Sequence, residues 1–324
     1  MGKRIALNKH AVMLVKEMVS KKDALNLKFY HYDDGITIID GGVNVLGGYE
    51  AGAYFAEICL GGLGNVSFCE FNLDSYQIPS IQVRVDHPLE ACMLSQYAGW
   101  KIENDDYFAM ASGPGRILAD KEDIFDEYQF YYESKNAPAV IVLEASELPN
   151  QETADYIVGE MDTPCSDSYI LIAPTESLVG SIQISARIVE TGLHKMHELG
   201  FDLEKIESGW GNCPISPTAS NTLQGIGRTN DAVLYGGTAY YQIYCEDQEI
   251  EEMIEQIPSS SSPDYGEMFL KLYQRYNNFY DIDPMLFSPA RVIINNRKTG
   301  KTFKAGKINA VSYTHLTLPT NREV

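Results

Sequence analysis

The sequence predicts an α/β fold, because strand-like and helix-like segments alternate along it. Two apolar runs of strand length, APAVIVLEA at 137–145 and SYILIAPT at 168–175, flank a segment of helical periodicity, ELPNQETADYIVGEM at 147–161. A strand, a helix and a second strand in this order form a βαβ unit with parallel strands. The chain has 324 residues, 44% of them hydrophobic, which suffices for two lobes or one large α/β domain.

The composition of the chain excludes several classes of partner and indicates the cellular compartment. The formal charge of −20 argues against a nucleic-acid partner and against an anionic membrane surface, since both would be repelled. An anionic small molecule would need a locally basic pocket. The six cysteines are widely spaced and form no CxxC pair, so we expect reduced thiols in a cytoplasmic protein. The N-terminus lacks the features of a signal peptide, and no apolar run approaches the ~18 residues of a membrane span.

Two glycine-rich segments lie where α/β proteins bind anions. GGVNVLGGYEAG at 41–52 follows a predicted strand, GITIID at 35–40, and precedes a predicted helix. It lacks the lysine of a P-loop and the spacing of a dinucleotide fingerprint, so a plain tight turn is an equal alternative. In YFAMASGPGR at 107–116, an apolar run ends in a turn that closes on Arg116. This pattern suits an anion-binding loop or a simple turn from strand to helix.

The carboxyl ends of the two parallel strands are candidate ligand positions, because open α/β sheets bind ligands there. Glu144 ends the first strand, and Pro174 and Thr175 end the second. Thr175 is also placed to cap the helix that follows.

The next segment predicts one amphipathic helix over 176–199, with an apolar stripe and a polar stripe at its edge. The polar stripe contains Gln183, Arg187, Glu190 and His194 at spacings of four, three and four, which is where a cleft would be lined. Arg187 and Glu190 suit a surface ion pair of ~0.2–0.5 kcal/mol. They also suit a half-buried carboxylate that is held by a guanidinium and acts as a general base on water. The spacing alone does not separate these two interpretations.

Other groups of residues give weaker evidence for a functional site. Glu190, His194, His197 and Glu198 resemble a metal cluster, but they lack an HExxH pattern, and a solvated helix end is the better interpretation. We therefore predict no metal site. The segment SGWGNCPISP at 208–217 is rich in glycine and proline, which predicts an irregular loop that shapes a pocket or packs a corner.

Several long segments, in the same order, resemble the methenyltetrahydromethanopterin cyclohydrolase family. The segments are YFAMASGPGR, APTESLVGSIQISARIVET, SGWGNCPISP, TNDAVLYGG, DYG and IDPMLFSPA, and together they extend the resemblance from about Leu7 to Ala310. The resemblance implies a two-lobed α/β subunit with a pocket between the lobes and a homotrimeric assembly in the cytoplasm. We place the N-terminal lobe at 1–150 and the C-terminal lobe, with the catalytic helix, at 151–310.

The resemblance also implies an activity without a metal or organic cofactor. The family interconverts 5,10-methenyl-tetrahydromethanopterin and water with N5-formyl-tetrahydromethanopterin, in the one-carbon metabolism of methanogenesis and of methane or formaldehyde oxidation. The family's arginine and glutamate, three residues apart, match Arg187 and Glu190, which favours the catalytic interpretation. Its phosphate-binding motif has Ser112, Gly113, Gly115 and Arg116 as candidates, with the glycines of 41–48 as second choice. Thr175 and Gln183 are further candidates for substrate binding.

The sequence departs from the family pattern in three places. Ala186 replaces the expected glycine before Arg187, and Trp210 and Asn212 stand where we expect a smaller and a basic residue. Residues 311–324 resemble the translation of a sequencing adapter, and we expect them to be a non-native tail. Two other functions compete with the cyclohydrolase: a pterin or folate one-carbon transferase, and a non-catalytic pterin-binding oligomer. The transferase would use the same pocket, and the binding protein would bind the pterin without hydrolysing it.

Overall fold

The computed structural model describes residues 5–73, 76–128, 138–276 and 281–309. The chain divides into two compact units. The first takes the residues up to Val66 together with Arg84–Gln183, and the second takes Ser67–Val83 together with the described residues from Ile184 onward. The predicted non-native tail at 311–324 lies outside the described residues.

Strands and helices alternate along the chain, as the sequence predicts. The strands are β1 (Lys28–His31), β2 (Thr37–Asp40), β3 (Gly64–Leu73), β4 (Tyr76–Val85), β5 (Trp100–Asn104), β6 (Tyr107–Ser112), β7 (Ala139–Glu144), β8 (Ser168–Ala173), β9 (Ile206–Pro214), β10 (Thr238–Ile243), β11 (Arg291–Asn296) and β12 (Thr302–Gly306). The α-helices are α1 (Leu7–Ser20), α2 (Tyr49–Cys59), α3 (Gly115–Ala119), α4 (Asp123–Glu127), α5 (Gln151–Glu160), α6 (Leu178–Ser185), α7 (Ile188–Glu198), α8 (Thr222–Asp231), α9 (Asp247–Met253) and α10 (Phe269–Tyr276). Two π-helical segments cover Leu89–Gln96 and Ala232–Gly236.

The first unit contains a mixed six-stranded sheet in the order β1-β2-β8-β7-β6-β5. Its centre is parallel: β2 pairs with β8, and β8 pairs with β7 in a register that sets Glu144 opposite Ala173. Because β7, α5 and β8 follow one another in the chain, the predicted βαβ unit is confirmed. Alternating side chains of β7 and β8 pack into two apolar clusters, which is why these strands are apolar throughout.

The second unit contains a mixed six-stranded sheet in the order β12-β11-β10-β9-β4-β3. Strand β10 runs parallel to β11 and antiparallel to β9, and β12 runs antiparallel to β11. Two six-stranded sheets with parallel pairs confirm the mixed α/β class.

The prediction of an irregular loop at 208–217 is wrong for its first seven residues. They belong to strand β9, whose residues from Ser208 to Asn212 pair in register with β10. Glycine has a low intrinsic preference for strands, but close packing against a neighbouring helix favours it here.

The single helix predicted over 176–199 is two helices, α6 and α7, separated by a turn at Ala186 and Arg187. The Arg187 N–H donates to the Ile184 carbonyl at 3.0 Å, three residues back, which tightens the chain at the end of α6. The Ser185 hydroxyl also donates to the Pro214 carbonyl at 3.0 Å. The apolar periodicity continues across the turn, so it carries no signal of the break.

The bounds of the two compact units differ from those of the lobes that we place at 1–150 and 151–310. Helix α5 and strand β8 belong to the first unit, because β8 lies between β2 and β7 in its sheet. The hairpin residues 67–83 belong to the second unit, because β3 and β4 extend its sheet. Within the described residues, none of the helices combines the length and the apolar character needed to cross a membrane.

Candidate functional site

Arg187 and Glu190 form a buried pair at the beginning of helix α7. Arg187 occupies the N-cap position with φ −77° and ψ 4°, and Glu190 lies in the first turn. The closest charged atoms, Arg187 Nη1 and Glu190 Oε2, are 3.9 Å apart, and the two residues are only 9% and 4% exposed. A surface ion pair is therefore excluded for these two residues. The first turn of a helix also favours a carboxylate, because the aligned peptide dipoles present partial positive charge there.

Two glycines of the second unit set the position of this turn. A Cβ atom at Gly211 would overlap Cγ2 of Ile188, and a Cβ atom at Gly237 would overlap Cδ1 of the same side chain. Both glycines thus make room for Ile188, the residue between Arg187 and the rest of the turn. The segments SGWGNCPISP and TNDAVLYGG supply these glycines, so part of their role is to seat the start of helix α7.

Strand β10 fixes the rest of the first turn. The Tyr241 hydroxyl, fully buried, donates to the Val189 carbonyl at 2.7 Å. Gly192 lies against the same tyrosine, since a Cβ atom there would overlap the phenol oxygen. Tyr241, Gly211 and Gly237 are not among the predicted site residues, because each acts by packing on the helix and carries no catalytic chemistry of its own. For Gly211 and Gly237 the signal in the sequence was the dipeptides WG and GG of the matching segments, which do not include Tyr241.

Lys195 anchors α7 one turn beyond Glu190. Its side chain is buried, and its ammonium donates to the Ser261 hydroxyl at 3.2 Å and to the Met285 carbonyl. Burial lowers the pKa of Lys195 to about 8, while the nearby Asp283 carboxylate acts in the opposite direction. Lys195 therefore attaches the helix to the segments around Ser261 and Met285.

The remaining polar residues of the stripe differ in their surroundings. Gln183 belongs to the first unit, is buried, and its amide oxygen lies 3.8 Å from the Cys59 thiol. His194 Nε2 lies 3.7 Å from the Glu198 carboxylate, and burial lowers the pKa of this histidine. Among the residues that the structure describes, no group of three His, Cys, Asp or Glu side chains is arranged to hold a metal ion.

The loop at 112–116 is packed against the core of the first unit. Gly113 has φ +97°, which requires glycine at this turn, and its N–H donates to the Ser95 carbonyl at 2.8 Å. A Cβ atom at Gly115 would lie 2.7 Å from the Met161 sulfur and 2.8 Å from the Val140 carbonyl oxygen. Ser112 is buried at the end of β6. The tight turn requires Gly113, and close packing requires Gly115. Both glycines therefore suit a simple turn from strand to helix, which is one of the two interpretations of the sequence.

Arg116 is fully buried and faces a carboxylate of the protein. Its Nε donates to Glu122 Oε1 at 2.7 Å, its Nη2 donates to Glu122 Oε2, and its Nη1 donates to the Ser95 carbonyl at 3.0 Å. The guanidinium also lies 5.4 Å from the ring centres of Tyr97 and Phe125. A guanidinium enclosed in this way has the contacts of a structural ion pair. This argues against the predicted role of Arg116 as a ligand for the substrate phosphate.

The second candidate for the phosphate-binding motif is the glycine segment at 41–48, and its backbone amides already bind a carboxylate of the protein. The buried Asp40 carboxylate accepts hydrogen bonds from the backbone N–H groups of Gly42 at 3.0 Å, Val43 at 2.7 Å and Asn44 at 2.9 Å. These amides are the donors that an external phosphate would need. The plain tight turn is therefore the better description of this segment.

The parallel strand ends bring Glu144 and Thr175 together, as their positions in the sequence suggest. Thr175 is 3% exposed, and its hydroxyl donates to Glu144 Oε1, while Glu144 remains partly exposed. Ser177 supplies the cap of helix α6, since its hydroxyl oxygen accepts from the Gly180 N–H at 3.0 Å. Thr175 is thus available for Glu144 and is not needed as the cap.

Comparison with known proteins places the chain in one family. A family model described as "Cyclohydrolase (MCH)" matches residues 6–314. The chain is 39% identical over 310 residues to a methenyltetrahydromethanopterin cyclohydrolase of Methanococcoides burtonii, covering 94% of this chain and 96% of the relative. It is 42% identical over 311 residues to the enzyme of that name from Methanocaldococcus jannaschii, with the same coverage of both chains. A cyclohydrolase of the same name from Methylobacillus flagellatus is 40% identical over 298 residues, covering 92% and 90%.

Proposed function

The chain belongs to the methenyltetrahydromethanopterin cyclohydrolase family, and we propose that it interconverts 5,10-methenyl-tetrahydromethanopterin and water with N5-formyl-tetrahydromethanopterin. The observation that carries the assignment of the reacting groups is the buried Arg187–Glu190 pair at the start of α7. A carboxylate is an effective general base when it is held in position and its basicity is tuned by burial and by neighbouring charges. Glu190 is buried, and the charge of Arg187 lies beside it.

The reaction itself calls for a base and a positioned water molecule. The methenyl carbon joins N5 and N10 as a cationic amidinium, which is already electrophilic. Glu190 accepts a proton from the attacking water, whose oxygen bonds to this carbon and gives a hydroxylated tetrahedral intermediate. The bond from the carbon to N10 then breaks, N10 takes up a proton, and the hydroxyl proton is lost as the N5-formyl group forms. The net reaction consumes one water and releases one proton.

Arg187 positions the base. Its guanidinium is 3.9 Å from the carboxylate, close enough for attraction and beyond the distance of a hydrogen bond. The carboxylate is thereby oriented without a bidentate fork to this arginine, which would occupy both of its oxygens. Tyr241 and the two glycines beneath Ile188 hold the backbone on which both groups stand.

Glu190→Gln tests the assignment. The amide keeps the shape of the side chain but is not a base at neutral pH, so we expect kcat to fall by about 10²- to 10⁴-fold with little change in KM. Turnover is followed as the loss of the methenyl chromophore with water as the only second substrate. Near-normal kcat in this variant would overturn the role of Glu190. An obligatory second one-carbon acceptor would point to a transferase, and binding without turnover would point to a pterin-binding protein.

Three further parts of the proposal rest on the family resemblance and on reaction chemistry. We propose that no metal or organic cofactor takes part, because the amidinium carbon needs no Lewis acid; kcat is then unchanged after exhaustive chelation. We propose a homotrimer, which sedimentation velocity of the purified chain tests. We propose a cytoplasmic location, which fits the formal charge of −20 and the thiol state of the five cysteine side chains that the structure describes.

A further inference from the structure

We propose that Glu144, oriented by Thr175, binds the 2-amino and N3–H edge of the pterin ring and so selects pterins among related bicyclic substrates. This inference rests on the proposed function, since it assumes a pterin substrate. It assigns a specificity residue, and it makes no claim about the reacting carbon.

The position of Glu144 is that of a ligand-binding residue. Strands β7 and β8 are adjacent and parallel, and Glu144 and Ala173 are paired at their carboxyl ends. The carboxyl edge of a parallel sheet is where open α/β folds bind ligands, because the chain leaves the strands there and opens a crevice. Glu144 is the last residue of its strand and is partly exposed, so a ligand can approach its carboxylate.

The Glu144 carboxylate is restrained by one hydrogen bond and can accept further hydrogen bonds from a ligand. The buried Thr175 hydroxyl donates to Oε1, and this hydrogen bond restrains the position of that oxygen. Within the described residues, no lysine, arginine or histidine lies within ion-pair distance of Glu144, and Thr175 supplies its one side-chain hydrogen bond. Arg116, by contrast, is turned to Glu122. A partly buried carboxylate of this kind favours a ligand that brings its own N–H donors.

The pterin ring presents such donors. Its lactam N3–H and its 2-amino group point in the same direction along one edge, as two N–H groups of a guanidinium do. A carboxylate accepts two parallel N–H···O bonds from such an edge, which adds geometric selectivity to the binding energy. Lumazines, which carry a 2-oxo group in place of the 2-amino group, present an acceptor at that position and would face the carboxylate with repulsion. Glu144 would therefore discriminate against them.

Glu144→Gln provides the test, because a carboxamide offers one donor and one acceptor where the carboxylate offers two acceptors. We expect the variant to raise KM for the methenyl substrate by about 10- to 100-fold with kcat within about threefold of wild type, as for the loss of one hydrogen bond to a charged group. Glu147→Gln is the matched control: it removes the same charge three residues along the chain from an exposed side chain, and it leaves KM unchanged. Thr175→Val, which removes only the orienting hydroxyl, is expected to raise KM less than Glu144→Gln does.

A binding measurement separates recognition from a structural effect and from turnover. Titration calorimetry or fluorescence of the full chain with 6-methylpterin and 6-methyllumazine gives the ratio of their dissociation constants. Wild type should prefer the pterin, and Glu144→Gln should lose or invert that preference, because the glutamine N–H can donate to the 2-oxo group. Equal preference in wild type and variant, with unchanged KM, would overturn the inference. A wild-type chain that binds with the expected preference but does not hydrolyse the methenyl substrate would refute the proposed function and leave this inference standing.

Discussion

In the part of the chain that the structure describes, two pairs of an arginine and a glutamate have side chains shielded from water, and the geometries of the two pairs differ. Arg116 and Glu122 face each other with two parallel hydrogen bonds, a backbone carbonyl takes a third guanidinium N–H, and two aromatic rings flank the cation. Arg187 and Glu190 approach only to 3.9 Å, at the start of a helix whose position is fixed by glycines and a tyrosine. Both pairs are shielded from water, so burial does not distinguish them.

The difference lies in what the charges do for the fold. A bidentate pair in a dry site uses the directions of both partners, which makes it rigid and leaves little capacity for a ligand. The Arg187–Glu190 pair is attracted at 3.9 Å without such a fork. The sequence presents both arginines as candidate site residues, and only the geometry shows that Arg116 forms a bidentate pair with Glu122 whereas Arg187 and Glu190 do not approach in this way.

Arg116→Met sharpens the comparison with the largest expected effect. The substitution leaves the Glu122 carboxylate without its cation. Because the Glu122 side chain is only 9% exposed, we expect the free energy of unfolding to fall by about 3–5 kcal/mol. Urea denaturation followed by circular dichroism measures this. The double variant Arg116→Met, Glu122→Met should recover most of the loss. If Arg116→Met instead raised KM with unchanged stability, Arg116 would be an anion ligand after all.

Asp231 extends the comparison to a buried carboxylate that forms no ion pair with the described residues. It is 1% exposed, accepts from the Phe269 N–H at 2.9 Å, and its Oδ2 has no hydrogen-bond partner among the described residues. Burial raises the pKa of Asp231 from 3.8 to about 7. Between these values the folded protein keeps a proton that the unfolded chain has released, so this residue lowers stability progressively as the pH rises from about 4 to about 7.

Asp231→Asn should remove that dependence. Relative to wild type, we expect the variant to gain up to about 4 kcal/mol of unfolding free energy between pH 4 and pH 8, since three pKa units correspond to about that amount. Urea titrations at intervals of one pH unit provide the measurement. A difference between the two proteins that does not change with pH would show that Asp231 is ionised in the folded state.

Gly211→Ala probes the support of the second pair and has the smallest expected effect on stability. The added methyl group would overlap Ile188, so we expect a loss of about 1–3 kcal/mol and a fall in kcat as the turn that holds Arg187 and Glu190 shifts. Gly159→Ala is the control, because a Cβ atom there meets nothing within 4 Å in helix α5, and it should be neutral or stabilising. Combining Gly211→Ala with Ile188→Ala should restore part of the lost activity. Full activity in the single variant would show that the turn tolerates displacement.

Local patterns in the sequence predicted much of the fold. The βαβ unit from β7 to β8, helix α2 after the glycine segment and strand β6 before the turn at 112–116 were predicted correctly. These elements have strong periodicity or a clear turn signal, so their neighbours in space add little information. The family resemblance, carried by six ordered segments, was also confirmed.

The predictions that failed depended on contacts between distant parts of the chain. Strand β9 was predicted as a loop because glycine has a low intrinsic preference for strands. Gly211 is favoured there because Ile188, on another segment, packs against it, and the local sequence does not show this contact. The break between α6 and α7 leaves the apolar period intact, so no local pattern marks it. The role of 112–116 as an anion loop stays a prediction. The contacts that argue against it, from the Arg116 guanidinium to Glu122 and to the Ser95 carbonyl, are likewise not visible in the local pattern.

The sequence by itself determined the fold class, the parallel strand pair, the family, and the spacing that puts Arg187 and Glu190 on one side of a helix. Those properties follow from periodicity and from order along the chain, which folding does not change. Only the tertiary structure decided which arginine is enclosed by a carboxylate, which glycines make room for a side chain, and that Thr175 turns to Glu144. Hydrogen bonds and close packing are satisfied by whichever groups meet in space, and a sequence does not state which groups those are.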